Sequence, residues 1–196
     1  MLESLDRSSV LPIYLIIGSD NQVNRDNQQE RPKRSKEVPD EIGWYFAGFV
    51  DGEGSFNVSL RRKPDYIVGW QPVLSFNVSQ RDQTILLLMK QYFDCGIIKR
   101  RQDGLYSYDV TNPTAIQEKI IPFFNKFKFL SMSKTNNFLI FQDIVKLMSD
   151  KNHLNLKGFK QLLELREKLN EGKGRKRKYT LDNVLESSET IRRSPV

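Results

Sequence analysis

The chain has 196 residues, 31 Lys plus Arg against 24 Asp plus Glu, a net charge of +7 and 38% hydrophobic side chains. That length suits one domain with its own core. The single Cys95 and single His153 exclude an internal disulfide framework and argue against a His-rich zinc site or a His-dependent acyl-transfer triad.

Residues 1–39 read as a flexible leader: from Gly18 to Pro39 almost no large apolar side chain occurs, so little burial would offset the ordering entropy. The earlier run Val10 to Ile17 is broken by Pro12 and is too short to span a bilayer, so no membrane partner is expected. Residues 1–40 carry a net charge of −1, whereas 41–171 and 172–196 carry +4 each. Positive charge therefore begins where the patterned sequence begins, which points to a polyanionic partner.

Patterned sequence starts at Asp40, a capping residue followed by Glu41 and a nearly continuous apolar segment, Ile42 to Val50. This predicts a largely buried helix ended by Gly52 and Gly54. Ser55 to Arg62 and Gln71 to Gln80 alternate with period two, placing Phe56, Val58, Leu60, Leu74, Phe76 and Val78 on one side of a hairpin. Asp82 is expected to cap a helix through Ile85, Leu86, Met89 and Phe93, closed by Gly96. A second hairpin is expected from Ile97–Arg101 and Leu105–Thr111, then helices over 113–128, about 134–149 and about 156–170. Residues 40–171 are thus the expected core, and 172–196 a basic C-terminal tail.

The informative stretch is Trp44-Tyr45-Phe46-Ala47-Gly48-Phe49-Val50-Asp51-Gly52-Glu53-Gly54-Ser55. Ala47 and Gly48 are small residues on an otherwise bulky helix and open a spot where a second helix can approach closely. Glu53 lies between two glycines that permit backbone geometry other residues resist. A carboxylate at a helix end, beside the Gly52 carbonyl, is a hard-oxygen site suited to Mg²⁺.

This stretch closely resembles the LAGLIDADG motif of homing endonucleases, with Phe46 in place of the usual first Leu and Glu53 at the final acidic position. The Val78-Ser79-Gln80 strand end, the Phe129-Leu130, Ser133-Lys134 and Phe138 passage, and the basic tail resemble the single-motif, homodimeric branch. The resemblance implies an α+β LAGLIDADG endonuclease fold, αββαββα, with a saddle-shaped antiparallel sheet and additional C-terminal helices. It implies that Glu53 and the Gly52 carbonyl bind catalytic divalent metal, Mg²⁺ with Mn²⁺ tolerated. Gln80 and Lys134 would flank the scissile phosphate, positioning water and stabilising charge. Asp51 is expected to steady the helix end rather than to bind metal.

One copy of the motif supplies one such carboxylate, whereas paired-metal hydrolysis needs carboxylates from two sides. The implied assembly is a homodimer through Phe46, Ala47, Gly48, Val50 and Asp51, acting on a long pseudo-palindromic duplex. The outer faces of the strands would then read the major groove through Asn57, Ser59, Arg61, Gln71, Val73, Ser75, Asn77, Lys99, Arg101, Ser107 and Asp109. Arg81 and the cluster Lys173, Arg175, Lys176, Arg177 and Lys178 would contact phosphate. The expected function is an intron-encoded, site-specific double-strand DNA endonuclease inside the cell, in an organelle or a prokaryotic cytoplasm. The rival readings are an RNA maturase that binds its host intron RNA, and a non-catalytic DNA-binding regulator on the same fold.

Overall fold

The computed structural model describes residues 37–66, 68–170, 178–180 and 182–184. Helix α1, Asp40–Glu53, runs directly into strand β1, Gly54–Arg62, which returns as β2, Trp70–Gln80. Helix α2, Thr84–Phe93, leads to β3, Ile97–Arg100, and β4, Tyr106–Val110. Three helices follow: α3 over residues 113–126, α4 as Met132–Ser149 and α5 as Leu156–Lys168. The fold is α+β, in the expected order αββαββα with further helices after it.

All strand pairings are antiparallel, in the order β1-β2-β4-β3. Alternation decides which side chains meet the helices, because successive residues of a strand point to opposite faces. Phe56, Val58, Leu60, Leu74, Phe76, Val78, Tyr108 and Val110 are buried on the inner face. All of these but Leu60 join Phe46 and Val50 of α1, Leu86 and Met89 of α2, Ile116, Ile120 and Phe124 of α3, and Phe138 and Phe141 of α4. Phe56 sits at the middle of this aromatic packing, with Phe76, Phe124, Phe129, Phe138 and Phe141 rings at centroid distances of 5.2–6.0 Å.

Local structure departs from expectation at a few points. Gly52 lies within α1, and Gly54 has an extended backbone at φ −81° and ψ 156°, so neither supplies an unusual conformation. Gly54 is required for space: a Cβ there would lie 2.4 Å from Val50 Cγ1 and 2.8 Å from the Val50 carbonyl oxygen. That close approach lets β1 leave α1 without a loop. Asp40 is the first residue of α1 rather than its cap, and its carboxylate accepts from Lys126 Nζ at 2.9 Å. Helix α2 is closed by Asp94 in the left-handed conformation, φ 46°, and not by Gly96. Helix α3 contains a π-turn at Ile116–Ile120, one residue short of Pro122. Proline lacks an N–H and its ring crowds the carbonyl four residues back, so a widened turn accommodates it.

A second, smaller apolar cluster joins Leu60, Val68 and Trp70 at the far end of the β1–β2 hairpin to Phe159 and Leu163 of α5 and to Val184. Tyr179 packs edge-on against Trp70 with ring centroids 4.7 Å apart. The described part of the expected tail is therefore packed on the core, because its apolar residues find an unfilled face at the hairpin tip. No helix of the described residues is long and apolar enough to cross a membrane.

Candidate active site and nucleic-acid interface

The α1–β1 junction brings the expected catalytic residues towards one end of the sheet. Glu53 is the last residue of α1 and is exposed. Gly54, next in the chain, pairs with Val78, two residues before the half-buried Gln80 at the end of β2. Lys134, in the first turn of α4, donates from Nζ to the Gly54 carbonyl. The carboxylate, the strand-end amide and the ammonium thus come from three elements that meet at Gly54. Gln80 itself is turned back on the chain, its Oε1 accepting from the Arg81 amide at 2.8 Å.

The hold on Lys134 is built by residues with no obvious chemical role in the sequence. Ser131 caps α4: its hydroxyl accepts from the Lys134 amide at 3.3 Å and donates to Asp51 Oδ1. Asp51 Oδ2 accepts from the Leu130 and Ser131 amides at 3.2 and 2.9 Å. Burial pulls the Asp51 carboxyl upward, but the hydrogen bonds from Ser131 and Leu130 and the nearby Lys134 charge outweigh it and hold its pKa below the usual range. Asp51 therefore clamps the end of α1 to the start of α4. The spacing of Ser131 ahead of the helix is a capping signal and is what points to it.

The expected interface on α1 shifts by position. Phe46, Ala47 and Val50 are 0%, 2% and 0% exposed within the single chain, and the Asp51 carboxylate is engaged with Ser131. Phe46, Ala47 and Val50 face their own core, while Asp51 faces the α4 start and stays partly exposed. The open side of α1 carries Tyr45, Gly48 and Gly52, with Phe49 half-buried. A Cβ added at Gly48 or Gly52 would meet nothing within 4 Å.

On the sheet, the register places Ser55, Asn57, Ser59, Arg61, Gln71, Val73, Ser75, Asn77, Ser79, Lys99, Ser107 and Asp109 on the face away from the helices. Arg101 follows β3, bonded to Asp103 at 2.8 Å, and Arg81 is exposed just after β2. Ser107 differs from expectation: it is buried at 7% exposure and donates to Asp109 at 2.7 Å, while Lys99 lies 3.5 Å from Asp109. Asp109 is thus engaged by both Ser107 and Lys99 on that face. Lys178 lies over the Tyr179 ring at 5.3 Å. Lys173, Arg175, Lys176 and Arg177 lie outside the described residues.

The free edge of β1 is closed by side chains. The carbonyls of Gly54, Phe56 and Val58 accept from Lys134, from Asn170 Nδ2 at 2.8 Å and from Arg166 Nε at 2.9 Å. Arg166, 5% exposed, also donates from Nη1 to the Tyr179 carbonyl and to Glu167, both at 3.1 Å. Nothing in the local sequence around Asn170 or Arg166 signals these contacts.

A helix ending in an exposed carboxylate at the root of a β-hairpin, beside a lysine from a later helix and below a polar sheet face, is the arrangement of a LAGLIDADG nuclease domain. The LAGLIDADG endonuclease family model matches residues 46–145, and the chain belongs to that family. It is 33% identical over 145 residues to a probable intron-encoded endonuclease of Neurospora crassa, an alignment covering 72% of this chain and 32% of the relative. The chain spans about a third or less of the length of the curated relatives it matches first. Among solved structures, the archaeal intron-encoded homing endonuclease I-Vdi141I complexed with DNA aligns at TM-score 0.73 and 30% identity, over 78% of this chain and 98% of that one. The I-LtrWI LAGLIDADG homing endonuclease bound to target DNA aligns at TM-score 0.65 and 31% identity, over 69% of this chain but 46% of that one.

Proposed function

We propose that the chain is a site-specific, double-strand DNA endonuclease of the homing type, encoded in an intron and acting as a homodimer on a long pseudo-palindromic target. What supports this reading is that Glu53 ends α1 next to Gly54, whose carbonyl accepts from Lys134 and whose β2 partner Val78 lies two residues from Gln80, at one end of a sheet whose open face presents amide, hydroxyl and cationic side chains. A packing role alone would not need an exposed carboxylate at that junction.

The donor set suits a hard divalent cation such as Mg²⁺. Glu53 offers carboxylate oxygens to solvent, and Gly52, in the last turn of α1, offers a carbonyl without an intrahelical partner. Bound there, such an ion would neutralise charge on a scissile phosphate and lower the pKa of its water. Lys134 adds a fixed positive charge beside that position, and Gln80 offers an amide to orient water.

Glu53 supplies one carboxylate, whereas paired-metal hydrolysis takes carboxylates from two sides, and this reading assigns the second to a partner copy of the chain. The open Tyr45–Gly48–Gly52 side of α1 is the surface proposed for that pairing, since small residues allow two helix backbones to approach. The I-Vdi141I homing endonuclease, which this chain matches over 98% of its length, is complexed with DNA, and that supports a DNA target. The compartment follows the host intron, in an organelle or a prokaryotic cell.

The test is selection of cleaved duplexes from a randomised library with purified protein in Mg²⁺, with Glu53→Gln in parallel. A single enriched pseudo-palindromic site cut by wild type and bound but uncut by Glu53→Gln is expected. Equal cleavage by both proteins would overturn the metal site. Metal-indifferent duplex binding without cleavage would favour the regulator, and tight binding to intron RNA alone would favour the maturase.

A further inference from the structure

Asn57 lies on the open face of β1, and both ends of its carboxamide are already engaged. Its Nδ2 donates to Ser55 Oγ at 2.8 Å, and its Oδ1 accepts from Asn170 Nδ2 at 3.3 Å. Asn170 is anchored in turn. Its Nδ2 also donates to the Phe56 carbonyl at 2.8 Å, and its backbone N–H donates to Asn137 Oδ1 of α4 at 2.8 Å. Its backbone is left-handed, with φ 57°, a region that Asn adopts more readily than most residues. A chain of amides therefore runs from α4 to the open sheet face.

We propose that Asn170 is a positioning residue that fixes how Asn57 presents its amide to a base pair, and thereby sets an adenine preference at that step of the target. The proposal rests on the endonuclease reading above. An unconstrained asparagine can exchange its oxygen and nitrogen ends by a half-turn about its last torsion. Here that turn would face the Asn57 NH₂ against the Asn170 NH₂ and lose the bond between them. The retained orientation uses one Nδ2 hydrogen and one Oδ1 lone pair, leaving one donor and one acceptor. Those are the two groups that bind adenine N7 and N6 in the major groove.

The experiment compares base preference at every target position for wild type, Asn57→Ala, Asn170→Gly and Asn170→Asp, using the randomised duplex library in Mg²⁺. Glycine tolerates the left-handed backbone, so Asn170→Gly removes the side-chain bonds without straining the turn. Asn57→Ala is expected to flatten one adenine per half-site by about five- to tenfold. Asn170→Gly should flatten the same position by about two- to fivefold, leaving the others unchanged. Asn170→Asp, which places an acceptor against Asn57 Oδ1, should turn the amide and reverse the preference there. An unchanged profile for folded Asn170→Gly, or a uniform loss at all positions, would overturn the positioning role while leaving the endonuclease reading intact. Failure of wild type to enrich any duplex would overturn both. Should Asn170→Gly melt below the assay temperature, the Asn170→Asp profile decides alone.

Discussion

The two ends of the β1–β2 hairpin are held by different physics. At the Gly54 end, α1 and α4 are joined by hydrogen bonds from Asp51, Ser131 and Lys134, with Glu53 left in solvent. At the Trp70 end, the hairpin is closed by apolar packing of Leu60, Val68, Trp70, Phe159, Leu163 and Val184, and the buried Arg166 of α5 ties the Val58 carbonyl to that of Tyr179. The charged groups to which the proposed function gives a role, Glu53 and Lys134, stay near water at the first end. At the second end Arg166 is buried and donates to the Val58 and Tyr179 carbonyls and to Glu167, as a buried charge requires. Side chains from the first end should govern rate, and those from the second should govern stability.

The largest effect is expected from Glu53→Gln, which should bring single-turnover cleavage below about one thousandth of wild type with no loss in melting temperature. A parallel fall in stability would break the division between the ends. Arg166→Met should do the reverse. It leaves the Val58 and Tyr179 carbonyls without their donor and should cost about 2–3 kcal/mol in denaturant unfolding, while the folded fraction still cleaves. Lys134→Met should lower the cleavage rate by about 10- to 100-fold, with its stability cost held under about 1 kcal/mol by its contact with solvent.

The mildest change separates clamp from catalysis. The Asp51 carboxyl has a folded pKa below its unfolded value, so its contribution to stability is complete above the unfolded value, about 3.9. It is lost as pH falls through the folded value. Thermal melts taken downward from pH 5 should fall more steeply for wild type than for Asp51→Asn. Matching slopes would show that the clamp does not couple to folding.

Much of this was legible in the sequence because it depends on period and composition. The alternation in Asn57 to Arg61 and in Gln71 to Ser79 assigns faces before any contact is known, and the helix from Asp40 announces itself by continuous apolar content. The direction of α1 was less legible. Ala47 and Gly48 are both small, and size alone does not tell which of them turns inward; burial does, and it selects Ala47. The roles of Asn137, Asn170 and Arg166 were hidden because each bond joins residues 33 to 114 positions apart, a separation that local pattern does not encode. The closure of α2 by Asp94 was missed for a different reason. A nearby glycine is the usual signal, yet the Asp94 carbonyl is held by Lys119 Nζ at 2.7 Å.

The blocked edge of β1 has a consequence for how the protein behaves at high concentration. An open strand edge is a template on which another chain can add, and sheet growth of that kind ends in aggregates. In this fold three successive outward carbonyls, those of Gly54, Phe56 and Val58, are already occupied. The opposite edge, β3, is only four residues long and carries Lys99 and Arg100. Both edges of the four-stranded sheet formed by the described residues are thereby blunted, and copies of the chain are steered away from strand addition.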